Sequence, residues 1–432
     1  MRTLQNVKVK NDISGLVVLD KEKNMTSNDC LMKLKKILHI DKIGHVGSLD
    51  PNATGVLVCL LGNATKSQEY LMQTGDKVYE AEIIFGISTD TEDLTGKITD
   101  ICNSEEFCDK IDIENKINEL SKQFVNSSKK FIGEYNQVPP MFSAKKVKGK
   151  KLVDLARKGK IIDRKPNVVK INEITLKGIN FVSKDIPYKN SNLFVGNFTV
   201  SCSKGTYIRT LCKDIGADMG VPSCMGELRR NRVFDFDIKD SIKLNEIEEK
   251  VKNNDYSFIK PCYYRKDESV VTFGKFETLH LGHLKIIKNV VNIARCKKYK
   301  SVVVVVGENA DNDILTKEQR ISKFKFLGID DIINIKLDDI NKKISPEDFV
   351  KEILIKQMKA KVIVVGNDCS FGYKGKGDAK LLIEICDENK IDVEIIDKLK
   401  VEGTNDDISS TLVKSEYDKG NVEFVKKLLG RK

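Results

Sequence analysis

Residues 42–58 have the sequence Lys42-Ile-Gly-His-Val-Gly-Ser-Leu-Asp-Pro-Asn-Ala-Thr-Gly-Val-Leu-Val58, and the interpretation of the whole chain depends on them. The glycines, the serine and the proline predict a turn, and the apolar run 56–61 predicts a buried strand or the start of a helix. His45 and Asp50 lie in that turn, where glycines let the backbone come close to a ligand. Asp50 is a candidate nucleophile or general base, or it caps an Asp-Pro turn, and the spacing alone favours neither.

The stretch resembles the catalytic loop of the TruB family of tRNA pseudouridine synthases, which runs roughly G-H-T-G-T-L-D-P-x-A-x-G-V-L. Val46 and Ser48 stand where that family usually has threonines. The resemblance implies that Asp50 is the nucleophile and that His45 helps to hold a flipped nucleotide. It also implies that the substrate is a uridine in the T-loop of tRNA, expected to be uridine 55, and that no cofactor or metal is needed.

The composition sets limits that fit this hypothesis. With 432 residues, the chain is expected to form two or three domains. The polar N-terminus and the lack of an apolar run of about 18 residues argue against a signal peptide and a membrane span. The net charge of +11 suits a polyanionic partner, although lysine and arginine also simply keep proteins soluble. The eleven cysteines form no C-x-x-C pair, so we expect no disulfide framework or zinc site and a cytoplasmic location.

Two further segments carry the same resemblance. Gly15-Leu-Val-Val-Leu-Asp-Lys21 predicts a strand and resembles the family's opening motif, with Glu22 and Asn24 in place of its proline and glycine. The resemblance implies that Lys21 contacts the RNA. Alternating residues 77–86 predict another strand. By resemblance Tyr79 stacks on the target base, whereas a strand tyrosine is more often part of a core or a surface.

A basic run follows the predicted amphipathic helix 111–124. Residues 137–159 are rich in lysine and resemble a conserved element of the family, with Leu152 where a tyrosine is usual. A cluster of this kind is typical of contact with a phosphate backbone, although lysine runs are often only solvated. The candidate RNA-binding side chains are Lys148, Lys150 and Lys151.

The third catalytic segment is Ser201-Cys-Ser-Lys-Gly-Thr-Tyr-Ile-Arg-Thr-Leu-Cys-Lys-Asp-Ile-Gly216. Gly205 ends a strand, and the apolar spacing predicts a helix over residues 207–219. By resemblance Arg209 pairs with Asp50 and lowers the pKa of that carboxyl, and Tyr207 lies beneath the base. Leu228 takes the family's apolar pocket position. No separate RNA-binding C-terminal module of the kind common in the family fits before the next domain.

The second half begins with a strand, a loop and a helix, and a further strand follows over residues 301–306. This βαβ pattern predicts a parallel, doubly wound sheet. The spacing of His280, Gly282 and His283 places two imidazoles at a helix N-terminus, where a triphosphate can bind, although chance or a metal pair would also explain four residues.

The second half resembles the nucleotidyltransferase domain of bacterial FAD synthetases. The supporting stretches are Gly274-Lys-Phe-Glu-Thr-Leu-His-Leu-Gly-His283, Val362-Ile-Val-Val-Gly-Asn-Asp-Cys-Ser-Phe-Gly372 and Ile408-Ser-Ser-Thr-Leu-Val-Lys414. The resemblance implies that ATP and FMN are substrates, that Mg²⁺ enters with ATP, and that AMP is transferred to FMN. The nucleotide-binding residues that it implies are His280, Gly282, His283, Asp368, Ser409, Ser410, Thr411 and Lys414. No riboflavin kinase domain is recognised in the chain, so we expect no phosphorylation of riboflavin.

We therefore predict an α+β pseudouridine synthase domain with a mixed sheet over residues 1–264. An α/β, Rossmann-like H-x-G-H nucleotidyltransferase domain is predicted over residues 265–432. The expected partners are the T-arm of tRNA, ATP and FMN, with no membrane. Two alternatives stay open: a tRNA-binding or folding factor whose second domain has decayed, and a transferase that uses another acceptor. The first alternative is supported by departures from the family pattern at Lys275, Glu277, Cys369 and Lys414.

Overall fold

The structure is a computed structural model that describes residues 13–73, 75–102, 112–143, 145–147, 149–160, 162–186, 189–307, 314–335, 337 and 341–430. The chain divides into two compact units, one formed mainly by residues 17–252 and the other mainly by residues 253–432. Each unit has its own sheet and its own hydrophobic core.

Among the described residues, nine strands of the first unit form one mixed sheet. Its main path runs in the order β1, β3, β12, β4, β11, β10 and β7, with β2 paired to β3 and β13 paired to β12. The strands of this sheet are β1 Gly15–Lys21, β2 Ile43–Val46, β3 Thr54–Leu61, β4 Lys77–Phe85, β7 Gly133–Gln137, β10 Asn167–Ile186, β11 Lys189–Cys202, β12 Ser223–Val233 and β13 Phe236–Asp237. Two small hairpins lie outside it, β5 Ile87–Thr89 with β6 Ile98–Ile101, and β8 Lys146–Val147 with β9 Lys150–Lys151.

The helices of the first unit pack around this sheet. They are α1 Ser27–Leu38, α2 Gln68–Gln73, α3 Ile113–Ser128, α4 Leu152–Ala156, α5 Ile208–Met219 and α6 Leu244–Lys252. Thr26 and Asp29 form a capping box that starts α1. Asn24, which stands where the resembled family has glycine, takes a φ of 63°, and asparagine tolerates this left-handed conformation better than most residues.

The second unit contains a five-stranded parallel sheet, as predicted, with the order β16, β15, β14, β17 and β18. This order, 3-2-1-4-5 within the unit, is that of a doubly wound fold with a ligand crevice beyond the carboxyl ends of its strands. The strands are β14 Ser269–Gly274, β15 Lys300–Val306, β16 Asp331–Ile335, β17 Ala360–Gly366 and β18 Asp392–Ile396. The helices are α7 Leu281–Lys297, α8 Lys317–Phe326, α9 Pro346–Asp348 with a π-helical continuation Phe349–Gln357, α10 Ala379–Glu388, α11 Ser410–Asp418 and α12 Val422–Leu428.

The sequence pattern located several of these elements closely. The predicted helix 207–219 is α5, the predicted strand 77–86 is β4, and the predicted helix 111–124 is α3, which begins later and continues to Ser128. In the part of the chain that the structure describes, no helix has the length and apolar character needed to cross a bilayer.

Candidate functional site

A cavity of about 770 Å³ in the first unit brings together residues that are far apart in the sequence. The loop between β2 and β3 contributes Asp50, β4 contributes Tyr79, and the start of α5 contributes Tyr207 and Arg209. Leu228 of β12 completes its apolar part. The predicted nucleophile, its predicted arginine partner and the predicted base-contacting residues therefore line one cavity.

Asp50 and Arg209 form an ion pair in this cavity, with Nε of the guanidinium 3.1 Å from Oδ2 of the carboxylate. Arg209 is buried, whereas 46% of the Asp50 side chain is reached by solvent. The other guanidinium nitrogens are also occupied: Nη1 donates to the carbonyl of Thr91 and Nη2 to the carbonyl of Phe142, at 3.1 and 3.0 Å. All three arginine nitrogens are thus used to fix one orientation.

A second carboxylate, that of Asp93, lies 3.5 Å from Nη1 of Arg209. Its Oδ1 accepts hydrogen bonds from the hydroxyls of Thr91 and Thr95, at 2.8 and 2.5 Å, which turns the side chain towards the arginine. The guanidinium of Arg209 is therefore shared between two carboxylates.

The pKa of Asp50 is raised above the ordinary value of an aspartate. Loss of solvation inside the cavity is the main cause, the Arg209 guanidinium opposes it, and the Asp93 carboxylate adds to it. The prediction that Arg209 pulls the pKa of Asp50 down is right for that pair. The prediction that the carboxyl ends with a lowered pKa is wrong, because desolvation outweighs the ion pair.

The apolar part of the cavity is formed by Tyr79 and Leu228, which are 6% and 8% exposed and belong to the main core of the unit. Burial raises the pKa of Tyr79 to about 12, so its phenol stays protonated at neutral pH. Tyr207, the N-cap residue of α5, is fixed by Gln137, whose side-chain amide accepts from its N–H at 2.7 Å and donates to its carbonyl at 2.9 Å. An aromatic and aliphatic slot of this kind suits a planar base.

A cavity of about 630 Å³ in the second unit lies beyond the ends of its parallel strands. It is lined by seven of the predicted nucleotide-binding residues, namely His280, Gly282, His283, Asp368, Ser409, Ser410 and Thr411. The rings of His280 and His283 are stacked with their centroids 3.8 Å apart. Ser409 caps α11 by accepting from the N–H of Leu412 at 3.2 Å, and Asp368 pairs with Lys398 at 3.1 Å.

Both histidines of this cavity are neutral at physiological pH. Burial lowers the pKa of His280 to about 4 and that of His283 to about 3. Nδ1 of His280 accepts from the N–H of His283 at the start of α7, so the proton of the neutral His280 ring is on Nε2. Nδ1 of His283 is buried and has no hydrogen-bond partner among the described residues. Neutral N–H groups beside a helix N-terminus are suited to donate to a phosphate.

Two departures from the nucleotidyltransferase pattern contact each other. Nζ of Lys414 donates to Oε2 of Glu277 at 2.5 Å, and both line a shallow depression beside Ser410 and Thr411. Lys414 does not line the larger cavity, unlike the other predicted nucleotide-binding residues. Each residue therefore keeps the charge sign usual at its position, and the two side chains form an ion pair.

Comparison with known proteins supports both halves of the sequence interpretation. The family profile "TruB family pseudouridylate synthase (N terminal domain)" matches residues 35–208, and the profile "FAD synthetase" matches residues 263–412. The tRNA pseudouridine synthase B of Streptococcus agalactiae serotype III is 41% identical over 256 residues, which are 58% of this chain and 80% of that protein. The enzyme of the same name from Listeria innocua is 38% identical over 281 residues, 65% of this chain and 84% of that protein. The chain belongs to the TruB family of tRNA pseudouridine synthases.

Two more matches complete the comparison. The profile "tRNA pseudouridylate synthase B C-terminal domain" matches residues 209–265, a segment that begins with α5 and supplies β12 to the large sheet. Because this segment is part of the large sheet, the absence of a separate RNA-binding module before the second domain stays a prediction. Among solved structures, "Crystal Structure of a Cbf5-Nop10-Gar1 Complex" is similar, with 22% identity and a TM-score of 0.40, over 64% of this chain and 67% of that one. The chain is a bifunctional enzyme by its domains: a TruB-family isomerase with an FAD synthetase domain.

Not every predicted RNA contact is available to RNA. Lys21 is 1% exposed, and its Nζ donates to the carbonyls of Ala53 at 2.6 Å and Pro51 at 3.0 Å. Lys21 is therefore not available to contact RNA as predicted, because its ammonium group holds the loop that carries Asp50. His45 is half-buried in β2 and does not line the cavity. Burial lowers the pKa of His45, so it is neutral at physiological pH.

The predicted basic contacts cannot be placed. Lys148 lies outside the described residues, and nothing is described of the side chains of Lys150 and Lys151. The backbone of Lys150 and Lys151 forms β9 of the small hairpin.

The sequence interpretation missed Arg230, which is fully buried and lines the cavity. It donates from Nε to the carbonyl of Val56 at 2.8 Å and from Nη2 to the carbonyl of Gly47 at 2.9 Å. Gly55 makes this possible, since its φ is 101° and a Cβ there would lie 2.2 Å from the Arg230 carbonyl. The run Leu228-Arg-Arg was visible in the sequence, but only the paired strands β3 and β12 show which arginine points inward.

Proposed function

We propose that the first unit isomerises uridine 55 in the T-loop of tRNA, with Asp50 as the nucleophile. The observation that carries this proposal is the Asp50–Arg209 pair at 3.1 Å inside a cavity walled by Tyr79, Tyr207 and Leu228. A base cannot reach such a site from within a helix or a stacked loop, so the nucleotide must first flip out. The direct test is to incubate the purified chain with a tRNA transcript and to map pseudouridine along it.

In the proposed reaction the flipped uracil lies against Tyr79 and Leu228, and Asp50 forms the covalent intermediate. The glycosidic bond between C1′ and N1 breaks, the base turns and a bond forms between C1′ and C5. The bond to Asp50 then breaks, the hydrogen on C5 leaves as a proton, and N1 gains a proton. All atoms of the product come from the substrate apart from exchange of this proton. The entering base excludes water from the cavity, and Arg209 holds the Asp50 carboxylate in one orientation meanwhile.

The pH dependence of this reaction follows from the raised pKa of Asp50. Because only the ionised carboxylate attacks, the rate should fall as the pH is lowered through a pKa above the ordinary aspartate value. Asp93→Asn removes a negative charge that raises this pKa, so it should move the acid limb to lower pH. The measurement is the single-turnover rate against pH for wild type and variant. Glu80→Gln, an exposed change on β4, is the control. An acid limb that stays in place in Asp93→Asn would contradict this coupling.

For the second unit we propose transfer of AMP from ATP to FMN, which forms FAD. An oxygen of the FMN phosphate bonds to the α-phosphorus of ATP, and the bond to the β-phosphate breaks, releasing pyrophosphate. The support is the stacked neutral pair His280 and His283 beside Ser409 and Ser410 in one cavity. Their N–H groups would donate to the charge that develops on the α-phosphate. Mg²⁺ is expected to enter with ATP rather than in a protein-built site.

FAD formation by the second unit should depend on its two cavity histidines. Wild type should form FAD from FMN, ATP and Mg²⁺, and a His280→Ala, His283→Ala double variant should lose at least about 100-fold in rate. Because both imidazoles are already neutral, the wild-type rate should show no histidine limb near pH 6.5. The assay is chromatographic detection of FAD, with an exposed Lys288→Ala variant of α7 as control.

The outcome of that assay also decides between the alternatives. No FAD from wild type would favour a decayed domain or another acceptor, and full activity of the double variant would exclude a catalytic role for both histidines. The paired departures Glu277 and Lys414 favour a maintained domain, because random decay has no reason to keep their charges matched.

A further inference from the structure

A second group of cations lines the cavity that contains Asp50. Lys77 at the start of β4, Arg230 of β12 and Lys204 of the loop before α5 all contribute to its lining. None of them takes part in the pairing of Asp50 with Arg209. Arg230 holds the loop that carries Asp50, whereas the proposed mechanism gives Lys77 and Lys204 no role.

In the described part of the chain, none of these cations forms an ion pair with a carboxylate, and the Asp76 carboxylate only offsets part of the lowering of the Lys77 pKa. The Arg230 guanidinium donates to the carbonyls of Gly47, Ser48 and Val56. Within the described residues, neither Lys77 nor Lys204 makes a side-chain hydrogen bond or an ion pair. The carboxylate nearest in sequence, Asp76, is exposed and accepts from the side chain of Asn172 at 2.8 Å.

Lys77 is placed close to where the base would lie. Side chains two residues apart on a strand point to the same face, about 7 Å apart, so Lys77 and Tyr79 both face the cavity. Lys77 also runs beside the loop that carries Asp50, since a Cβ on Gly47 would lie 3.6 Å from its Cε. Burial, with a contribution from Arg230, lowers the pKa of Lys77 to about 8. A bound anion would offset the repulsion from Arg230 and raise the pKa of Lys77 again.

We propose that Lys77 and Lys204, backed by the charge of the buried Arg230, form a seat for an RNA backbone phosphodiester that adjoins the uridine in the cavity. This inference rests on the proposed function, in which the uracil lies against Tyr79. A phosphodiester is the anion that an RNA strand must bring to the mouth of a cavity when one of its bases enters. Holding that phosphate fixes the backbone in its flipped conformation, so Lys77 is a positioning residue for the substrate.

The protein side of the test uses Lys77, because Arg230 also supports the fold. Lys77→Met should raise the Kd for a T-arm RNA about tenfold and reduce the slope of log K against log salt by roughly 0.7, as expected for one phosphate on a single strand. Lys77→Arg should recover most of the affinity. Lys239→Met, at an exposed site outside the cavity lining, should match wild type. Thermal unfolding of all variants checks that they are folded.

The RNA side of the test removes the charge from the phosphates instead. Neutral methylphosphonates are placed singly on the 5′ and 3′ sides of the target uridine, and binding to wild type and Lys77→Met is compared. One of the two methylphosphonates should weaken binding to wild type but should not weaken binding to Lys77→Met any further. An unchanged salt slope in Lys77→Met, or losses that simply add at both positions, would overturn it. Because pseudouridine formation by wild type is measured separately, failure of the phosphate seat is distinguishable from failure of the proposed isomerisation.

Discussion

Asp50→Asn is expected to abolish pseudouridine formation, by at least about 10⁴-fold, while T-arm RNA still binds close to wild-type affinity. The amide has nearly the same shape and can still accept from Nε of Arg209, so the cavity should keep its form. It cannot act as a nucleophile. The other carboxylate near Arg209, that of Asp93, is held in place by two threonine hydroxyls and does not line the cavity.

The measurement for this prediction is single-turnover pseudouridine formation beside a filter-binding Kd. Asp41→Asn, an exposed change shortly before the same loop, is the matched control and should behave as wild type. Turnover of Asp50→Asn at a rate near wild type would remove Asp50 from the reaction.

Arg209→Lys is expected to lower the rate about 100-fold with little change in RNA affinity. Arg209 holds Asp50, the Thr91 carbonyl and the Phe142 carbonyl with three different nitrogens. A lysine ammonium keeps the charge but cannot meet all three partners in that planar arrangement. At about 1.4 kcal/mol for each factor of ten, the loss of two charged hydrogen bonds accounts for the expected size.

Arg232→Lys on the exposed part of β12 is the control for this change. The rate and the Kd are measured together, since a purely structural defect would weaken both. An unchanged rate in Arg209→Lys would show that the Asp50–Arg209 pair has no part in catalysis.

The sequence predicted the elements that have strong local signals. Helix α5 has a clear apolar period and follows a glycine, and β3 is a continuous apolar run. The parallel sheet of the second unit followed from its alternation of strand and helix patterns. The meeting of Asp50, Tyr79, Arg209 and Leu228 in one cavity followed from family resemblance rather than from any local pattern.

What the sequence could not supply depends on contacts between distant backbone groups. The burial of Lys21 requires the carbonyls of Pro51 and Ala53 to turn towards β1, and the role of Arg230 requires the pairing of β12 with β3. The pKa of Asp50 is a balance between desolvation and two neighbouring charges, and a motif states only that the charges exist. The contact between Glu277 and Lys414 joins residues 137 positions apart.

In the proposed function, Asp50 converts one T-loop uridine of tRNA. The most direct test of this function uses a tRNA transcript carrying tritium at C5 of uridine, because formation of the bond from C1′ to C5 expels that hydrogen. Wild type is expected to release the label of one uridine per tRNA, and this release should disappear when uridine 55 is replaced by cytidine or when Asp50→Asn is used. Release that persists after replacement of uridine 55, or that Asp50→Asn still produces, would contradict the proposed function of the first unit.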